Sequence, residues 1–246
     1  MAVLSLKLRM RPPVLEVANL NARYGRAQIL HDVSILLGRN EVVALLGRNG
    51  AGKTTTMKSI MGMLRQVDGR ISYENQDILG KPSYMICRAG IGYVPEERRI
   101  FRDLTVEENL EVGRRAKREN APEWTLERLF DLFPNLRERR SNLGKHLSGG
   151  EQQMLTIART LMGNPAVVLL DEPSEGIAPV IVEQMGFVIA ELKRQGLSVL
   201  ISEQNLHFAR LVSDRAYIIE KGQVRYDGSF DDLDQHPEIS RKYLAV

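Results

Sequence analysis

The amino-acid sequence predicts an α/β fold that contains a parallel β-sheet. The apolar run Val42–Leu46 leads directly into a glycine-rich loop, after which residues 54–63 favour a helix. A second apolar run over residues 166–170 ends in two acidic residues, and residues 166–202 indicate a strand, a helix and a strand. Continuous apolar runs of this length are typical of parallel strands that are covered on both faces. A right-handed crossover connects such strands.

Shorter strands with alternating apolar and polar residues surround the predicted parallel sheet. The strands at residues 14–20 and 71–74 predict an antiparallel sheet that flanks the ligand of the glycine-rich loop. Residues 216–220 and 223–226 predict a second strand pair around the turn at residues 221–222.

The glycine-rich loop fits a phosphate-binding pattern. Residues 47–54 match G-x-x-x-x-G-K-[ST] at every fixed position, between a strand and a helix as the pattern requires. Glycines let the backbone curl around a phosphate with its N–H groups inward, and the helix N-terminus adds positive potential. Lys53 is placed to reach the β- and γ-phosphates of ATP, and the hydroxyl of Thr54 to hold Mg²⁺. The candidate nucleotide-binding residues are Gly47, Arg48, Asn49, Gly50, Ala51, Gly52, Lys53, Thr54 and Thr55.

Residues 98–165 lack strong strand signals and predict a helical lobe inserted into the α/β core, with helices around 105–118 and 123–133. The lobe ends in Leu-Ser-Gly-Gly-Glu-Gln-Gln at residues 147–153, just before apolar residues at helix spacing. Ser148 is placed to cap this helix, whose glycine-rich first turn makes a second anion site. One nucleotide does not need two such sites, so the second is expected to serve the ATP of another subunit. Its candidate residues are Ser148, Gly149, Gly150 and Glu151.

Two acidic residues follow the second apolar run. Ligands of open α/β sheets gather at the carboxyl ends of the strands, so Asp171 is expected to bind Mg²⁺ directly or through water. Glu172, the next residue, points in a different direction from Asp171 and is placed to act as general base on the attacking water. Two adjacent acids after a strand are otherwise commonly a solvated turn or a helix cap. The phosphate loop in the same chain favours the metal and base roles.

Composition agrees with a soluble cytoplasmic protein. Apolar residues make up 43% and charged residues 26% of the chain, which is ordinary for a globular domain, and no apolar stretch approaches the length of a spanning helix. Residues 1–13 are expected to be a short leader to the first strand rather than a signal peptide. The single Cys87 allows no intrachain disulfide and fits a reducing compartment. The net charge is only +3, and the basic run at 137–140 is expected to be a solvated face.

The phosphate loop, the LSGGE segment and the acidic strand occur in the order and spacing of the ABC transporter nucleotide-binding subunits, whose signature LSGGQ is here LSGGE. The sequence closely resembles that family over roughly residues 14–235. The resemblance implies an ATP-hydrolysing P-loop NTPase fold, with an antiparallel β subdomain and an inserted helical subdomain, as a single domain over residues 14–236. Its core would comprise residues 14–97 and 166–236, and its helical signature lobe residues 98–165.

The resemblance also carries over roles for individual residues. Tyr24 matches the aromatic residue that stacks on adenine, the less favoured alternative being a half-buried strand residue. Glu96 stands where most of the family has a glutamine that contacts Mg²⁺ and the attacking water. Gln204 stands where most members have a histidine that touches the γ-phosphate, and Ala178 replaces the aspartate of the dimer-facing loop. The implied catalytic residues are thus Glu172, Gln204 and Glu96, and the implied Mg²⁺ ligands are Thr54, Asp171 and Glu96.

Four segments look like the LivF-type subunit, one of two ATPases in importers for branched-chain amino acids. They are residues 93–96, 98–101, 104–110 and 203–205. Relatives of that type drive uptake of urea or short amides, and residues 175–177 suit those as well.

This resemblance implies a set of partners and a location. Two ABC ATPase subunits, identical or different, would close head to tail on two ATP molecules. Integral membrane permease subunits would rest near residues 96–101, and a periplasmic or extracellular substrate-binding protein would deliver the substrate. The chain would lie peripherally on the cytoplasmic face of the membrane, and no nucleic acid is expected.

Two other classes of protein share parts of this pattern. Soluble ABC ATPases that act on nucleic acid or ribosomes usually carry two cassettes in one chain or a long coiled-coil insertion, and this chain has neither. A regulatory cassette that binds ATP without hydrolysing it is disfavoured because Lys53, Asp171 and Glu172 are all retained.

Overall fold

The computed structural model of the chain describes residues 12–244. The leader expected at residues 1–13 lies outside the described residues except for its last two positions. Within residues 12–244, none of the helices combines the length and the apolar character needed to cross a membrane.

The described chain begins with three strands, carries a run of helices between residues 106 and 161, and then alternates strand and helix from residue 167 to residue 220. The strands are β1 (Leu15–Tyr24), β2 (Ala27–Leu37), β3 (Val42–Leu46), β4 (Gln66–Tyr73), β5 (Gln76–Asp77), β6 (Ile91–Val94), β7 (Val167–Asp171), β8 (Ser198–Glu203), β9 (Arg215–Glu220) and β10 (Gln223–Gly228). The α-helices are α1 (Lys53–Ile60), α2 (Ser83–Ala89), α3 (Val106–Gly113), α4 (Leu126–Leu132), α5 (Pro134–Glu138), α6 (Gly149–Leu161), α7 (Pro179–Arg194), α8 (Leu206–Val212), α9 (Phe230–Gln235) and α10 (Pro237–Tyr243). A short 3₁₀ turn at Gly144–His146 precedes α6.

The larger sheet has the strand order β10-β9-β3-β8-β7-β6. Its strands are parallel except β10, which forms an antiparallel hairpin with β9. The predicted parallel unit is confirmed, because β7 and β8 pair in parallel and α7 connects them. The hairpin predicted near the end of the chain is confirmed as well.

The smaller sheet is antiparallel and has the order β2-β1-β4-β5. Leu15 lies opposite Tyr73 and Val17 opposite Ile71, so the predicted pairing of the two short strands is confirmed.

The core lies on both faces of the larger sheet because the parallel strands are buried on both sides. In β3, Val43 and Leu45 pack with the antiparallel sheet and α1, whereas Val42, Ala44 and Leu46 face the opposite cluster. That cluster holds the apolar faces of α6, α7 and α8. Burying one such side chain stabilises the fold by about 1.5–3 kcal/mol. The apolar runs therefore fix the position of each strand that ends at the site described below.

Several element boundaries differ from the sequence expectations. Strand β4 begins at Gln66 rather than at residue 71, because residues 66 and 68–70 are exposed and interrupt the apolar alternation from which a strand is predicted. Its predicted end was one residue too long, since Glu74 has φ 49° and starts a turn.

In the helical segment, α3 ends at Gly113, before the expected residue 118. At this glycine a Cβ atom would lie 2.3 Å from the carbonyl oxygen of Arg159 in α6. This close approach of the two helices carries no periodic signal in the sequence. The division of the domain at residues 97/98 and 165/166 stays a prediction.

Candidate functional site

The carboxyl ends of three adjacent strands meet at one edge of the larger sheet. β3 ends at Leu46, whose register partner in β8 is Glu203. β7 ends at Asp171, whose partner in β8 is Ser202. The glycine-rich loop leaves β3 at this edge and Glu172 follows β7 here. The topology therefore brings the predicted phosphate loop and the acidic pair together.

The loop between β3 and α1 has a backbone shape that requires glycine. A Cβ atom on Gly47 would lie 2.5 Å from the carbonyl oxygen of Ile219. Gly52 has φ +115°, and a Cβ atom there would lie 2.8 Å from Leu30. Gly52 is also the N-cap of α1, and no side chain caps this helix. The N–H groups of its first turn are therefore free of side-chain partners and can bind an anion.

The ammonium group of Lys53 is buried and has three acceptors. Its Nζ donates to the carbonyl oxygens of Gly47 at 2.7 Å and Arg48 at 3.0 Å. It also forms an ion pair with Oε1 of Glu172 at 3.0 Å. A phosphate group that enters the loop therefore competes with Glu172 for the charge of Lys53.

Glu172 is fixed through both its backbone and its carboxylate. Its N–H donates to the carbonyl oxygen and to Oγ of Ser202, at 3.1 and 3.0 Å. Its φ of 45° lies in the left-handed region, which costs a non-glycine residue about 1–2 kcal/mol. The Nε2 of Gln204 donates to Oε2 of Glu172 at 2.7 Å. The carboxylate thus lies between the Lys53 ammonium and the Gln204 amide.

Asp171 is fully buried and accepts three hydrogen bonds from hydroxyl groups. Its Oδ1 accepts from Thr54 at 3.1 Å and from Ser202 at 2.6 Å, and its Oδ2 accepts from Tyr93 at 2.9 Å. Burial, followed by the charge of Asp171, raises the pKa of Tyr93, so this phenol stays a neutral donor. Mg²⁺ prefers one or two protein oxygens together with phosphate oxygens and water. The hydroxyl of Thr54 and the carboxylate of Asp171 fit that requirement.

Two further glutamates lie at this edge of the sheet. Glu203 is almost fully buried and accepts from the N–H of Ser174 at 3.1 Å. Burial is the main cause that raises the pKa of Glu203. Burial also raises the pKa of the more exposed Glu96, with the charges of Glu172 and Asp171 as the next causes. Glu96 therefore interacts electrostatically with Asp171 and Glu172, although no hydrogen bond joins Glu96 to either residue in the described part of the chain.

The signature segment starts α6 through a capping box, as predicted for Ser148. The N–H of Glu151 donates to Oγ of Ser148 at 3.3 Å, and the N–H of Ser148 donates to Oε2 of Glu151 at 2.8 Å. Arg139 pairs with the same carboxylate at 2.6 Å. Glu151 therefore stabilises the helix start, a local task that the anion-site prediction for this residue did not include.

The other end of α6 holds the loop that follows β6. Arg159 donates to the carbonyl oxygen of Arg99, and its guanidinium lies 4.9 Å from the ring centroid of Phe101. Asn109 of α3 binds both the N–H and the carbonyl oxygen of Phe101, at 2.8 and 2.9 Å. The ring of Phe101 is nevertheless 47% exposed. It is displayed at the surface by a fixed backbone.

The structure thus joins Lys53, Thr54, Asp171, Glu172 and Gln204 through direct contacts. Tyr24 is 47% exposed at the end of β1, so it is not a core residue. Sequence reasoning missed the contacts of Tyr93, Ser202 and Glu203. Their positions at the ends of strands beside the acidic pair were a usable signal, because carboxyl ends of neighbouring parallel strands converge. The catalytic and binding roles of all these residues remain proposals.

Comparison with known proteins identifies the family. The profile of the family described as ABC transporter matches residues 30–175, more than half of the chain. The chain is 41% identical to the high-affinity branched-chain amino acid transport ATP-binding protein BraG of Pseudomonas aeruginosa, covering 90% of this chain and 95% of BraG. It is 38% identical to the lipopolysaccharide export system ATP-binding protein LptB of Haemophilus influenzae, covering 94% and 97%.

Solved structures agree with these sequence matches. One is the ADP conformation of an ATP-binding cassette of an ABC transporter, with 26% identity, a TM-score of 0.79, and coverage of 94% of this chain and 98% of that chain. Another is an ATP-binding subunit of an ABC transporter, with 30% identity, a TM-score of 0.77, and coverage of 92% and 94%. The fold, the assembled loop and acidic pair, and these matches lead to one conclusion: the chain belongs to the ABC transporter family and is an ATP-hydrolysing subunit of a transporter.

Proposed function

We propose that the residues joined at the sheet edge divide the work of ATP hydrolysis. Lys53 and the N–H groups that open α1 bind the phosphates, and Thr54 and Asp171 hold Mg²⁺, which neutralises charge on the phosphates when bound. Glu172 accepts the proton of the attacking water, and Gln204 positions the carboxylate through its 2.7 Å hydrogen bond. A glutamine amide cannot take up that proton near neutral pH. The observation that carries this proposal is the direct contact of Glu172 with both Lys53 and Gln204.

Catalysis on this proposal needs two chains. Ser148, Gly149 and Gly150 bind the ATP held by the phosphate loop of a second ABC ATPase subunit, identical or different. The capped, glycine-rich start of α6 supports this role, because a helix N-terminus favours an anion. Tyr24 stacks on adenine, and its exposed ring is available for that contact.

We further propose that the transporter imports branched-chain amino acids. BraG, at 41% identity over nearly its whole length, supports this choice. In that arrangement the chain lies on the cytoplasmic face of the membrane. Permease subunits dock near Glu96 and the exposed Phe101, and a periplasmic or extracellular binding protein presents the substrate. Import of urea or short amides is the alternative within the same kind of transporter.

A second candidate is lipopolysaccharide export. LptB proteins of Haemophilus influenzae and Escherichia coli match at 38% and 36% identity, each covering 94% of this chain and 97% of LptB. These values are close enough to those of BraG that the transported substrate must be decided by experiment.

The deciding experiment deletes the gene and measures uptake of radiolabelled leucine, isoleucine and valine, and separately of urea and acetamide. Complementation uses the wild-type chain and, as matched control, Lys53→Ala. Loss of leucine uptake that only the wild type restores supports the proposal. Normal amino-acid uptake with defective delivery of lipopolysaccharide to the cell surface contradicts it and favours the export role.

A further inference from the structure

The loop after β6 places Arg98 between two segments of the site. We propose that Arg98 is a positioning residue for ATP hydrolysis, which fixes the loop 174–178 against the start of the signature helix α6. Its Nη2 donates to the carbonyl oxygens of Glu175 and Gly176, each at 3.1 Å. One guanidinium thus holds two successive peptide groups of the loop that follows Glu172.

The same guanidinium packs against the first residue of α6. A Cβ atom built on Gly149 would lie 2.3 Å from Nη1 of Arg98. A methyl group at this position would therefore push the guanidinium aside. Arg98 therefore touches the signature segment with one nitrogen and the loop after Glu172 with the other.

Stability alone does not account for this arrangement. Arg98 has φ 49°, a left-handed conformation that costs about 1–2 kcal/mol in a residue with a Cβ atom. Its cation sits at a helix N-terminus, where the helix dipole disfavours positive charge. The neighbouring Arg99 pairs with Glu97 at 3.2 Å, whereas Arg98 forms no ion pair with a carboxylate of residues 12–244. Its donors are directed at backbone carbonyls instead.

The loop that Arg98 holds is tied directly to the base. The N–H of Glu175 donates to the carbonyl oxygen of Glu172 at 3.2 Å, and the N–H of Ser174 donates to Glu203 at 3.1 Å. Arg98 adds a tether from outside the sheet edge. Loss of this tether shifts the loop and, through it, Glu172, while the phosphate loop keeps its own contacts. The effect is therefore expected in the chemical step and not in ATP binding.

The test measures kcat for ATP hydrolysis and the Kd for ATP of the full-length chain. Because small displacements of a reacting group can cost about 10²-fold in rate, Arg98→Ala is expected to lower kcat about 10- to 100-fold and leave the Kd within about twofold. Arg98→Lys keeps the charge but not the planar fork, so it restores only part of kcat. Arg99→Ala is the matched control, since its exposed side chain forms an ion pair with Glu97 and makes none of the contacts of Arg98, and it is expected to match the wild type.

If Arg98→Ala fails to fold, Arg98→Lys carries the test through its partial loss of kcat, and a full kcat in Arg98→Lys contradicts the proposal. Where Arg98→Ala folds, Gly149→Ala provides a second route. Its methyl group displaces the guanidinium without deleting it. In the double variant Arg98→Ala/Gly149→Ala, the loss of kcat is expected to be smaller than the product of the two single losses, because both variants break one contact. Losses that multiply independently contradict the proposal, as does an unchanged kcat in Arg98→Ala or a parallel change of kcat and Kd.

The inference rests on Glu172 as the proposed base, and Glu172→Gln in the same assay tests that separately. Full activity of Glu172→Gln would refute the role of Glu172 as base. A normal kcat in Arg98→Ala together with an inactive Glu172→Gln would refute only the positioning role of Arg98. The transported substrate does not enter the assay, so the import proposal is unaffected by either result.

Discussion

The Lys53 ammonium and the Glu172 carboxylate form a buried ion pair, 3.0 Å apart, that links the phosphate loop to the residue proposed to accept a proton. Both side chains are more than nine-tenths buried. Removing one partner of such a pair leaves an uncompensated charge and typically costs about 3–5 kcal/mol of stability. The pair also means that removing the Glu172 carboxylate affects nucleotide binding, because the nucleotide and the carboxylate draw on the same cation, whereas a small displacement that keeps the pair does not.

Lys53→Ala is expected to abolish ATP hydrolysis and to weaken ATP binding by about one to two orders of magnitude. The ammonium group can make charge-assisted hydrogen bonds with phosphate, each worth about 1.5–3 kcal/mol. Calorimetric or fluorescence titration with ATP measures the loss. Lys58→Ala, in the last turn of the same helix, is the matched control for removing a lysine from α1. Unchanged affinity in Lys53→Ala would contradict the phosphate-loop assignment.

Glu172→Gln is expected to lower the steady-state rate at saturating Mg-ATP by about 10²–10⁴-fold, the usual contribution of a general base. ATP is expected to bind more tightly than to the wild type, because the Lys53 charge is no longer neutralised by a carboxylate, and a long-lived ATP-bound dimer should accumulate.

Gln204→Ala is expected to reduce the rate less, since it removes a positioning hydrogen bond and leaves the carboxylate in place. Steady-state hydrolysis compares the two variants directly. If Glu172→Gln kept most of its activity while Gln204→Ala lost it, the assignment of the base would be wrong.

Ser148→Arg is expected to suppress hydrolysis without preventing ATP binding to the phosphate loop, because a bulky cation blocks the glycine turn of α6. The variant also removes a helix cap worth about 1 kcal/mol. Thr105→Arg removes the same kind of capping box from α3 and controls for that loss of stability. Equal inactivation by both variants would show that the cap alone matters.

The wild type tests the same two-chain arrangement. Its ATPase activity is expected to rise faster than linearly with protein concentration. Strictly linear activity down to very dilute protein would argue against catalysis across two chains, unless a constitutive dimer were shown.

Tyr93→Phe is expected to raise the Mg²⁺ concentration for half-maximal hydrolysis by about 10-fold, the lower end of the effect of removing a hydrogen-bond partner of a metal ligand. The variant deletes the hydroxyl that donates to Oδ2 of Asp171 at 2.9 Å and keeps the ring. Tyr84→Phe, on the exposed face of α2, is the matched control and is expected to leave the Mg²⁺ dependence unchanged. An unshifted Mg²⁺ titration in Tyr93→Phe would show that this hydrogen bond does not orient the metal ligand.

The buried carboxyl group of Glu203 is expected to make the free energy of unfolding depend on pH. Because burial raises its pKa in the folded chain, the folded state binds more protons than the unfolded state at pH values between the ordinary glutamate pKa of about 4.3 and the raised pKa of the folded state. The stabilising contribution is fully present below that pH and is lost as pH rises through the folded pKa. Glu203→Gln cannot titrate. The free energy of unfolding of the wild type minus that of Glu203→Gln is therefore expected to decrease as pH rises from about 4.

Urea unfolding at a series of pH values measures this difference, and subtracting the variant removes the contributions of other acids with raised pKa, such as Glu96 and Asp227. A difference that stays constant with pH, or increases, would contradict the raised pKa of Glu203.

The sequence predicted the parallel sheet because strands such as β3 and β7 are buried on both faces and therefore read as unbroken apolar runs. It also predicted that Lys53 lies in the phosphate loop and that Asp171 lies at the end of a buried strand, because both positions follow from local patterns. It did not predict that Tyr93 and Ser202 would bind Asp171, because those contacts depend on the register between separate strands. Strand register is a tertiary property that no local spacing encodes.

The cap of α6, in contrast, could be predicted from the sequence. Ser148 and Glu151 are only three residues apart, so their contact is local. The left-handed backbone of Glu172 was also beyond prediction, as glutamate has no preference for it. That conformation is imposed by the hydrogen bonds from its N–H to Ser202.

Helix α6 connects two surfaces of the protein, since the signature residues lie at its N-terminal end and Arg159, which contacts the loop of Phe101, lies near its C-terminal end. Arg159 donates to the backbone carbonyl beside Phe101, and Gly149, ten residues earlier, is the first helical residue of the signature segment, about 15 Å away along the axis. A helix bends little over that length, so a partner docked at the exposed Phe101, as proposed above, would be expected to displace the signature residues together with the helix. Thermodynamic linkage makes such a coupling reciprocal. If a partner bound at Phe101 changes the affinity of the signature residues for phosphate by some factor, bound phosphate changes the affinity for that partner by the same factor. On that proposal, docking at Phe101 and closure on the nucleotide would be coupled through this helix.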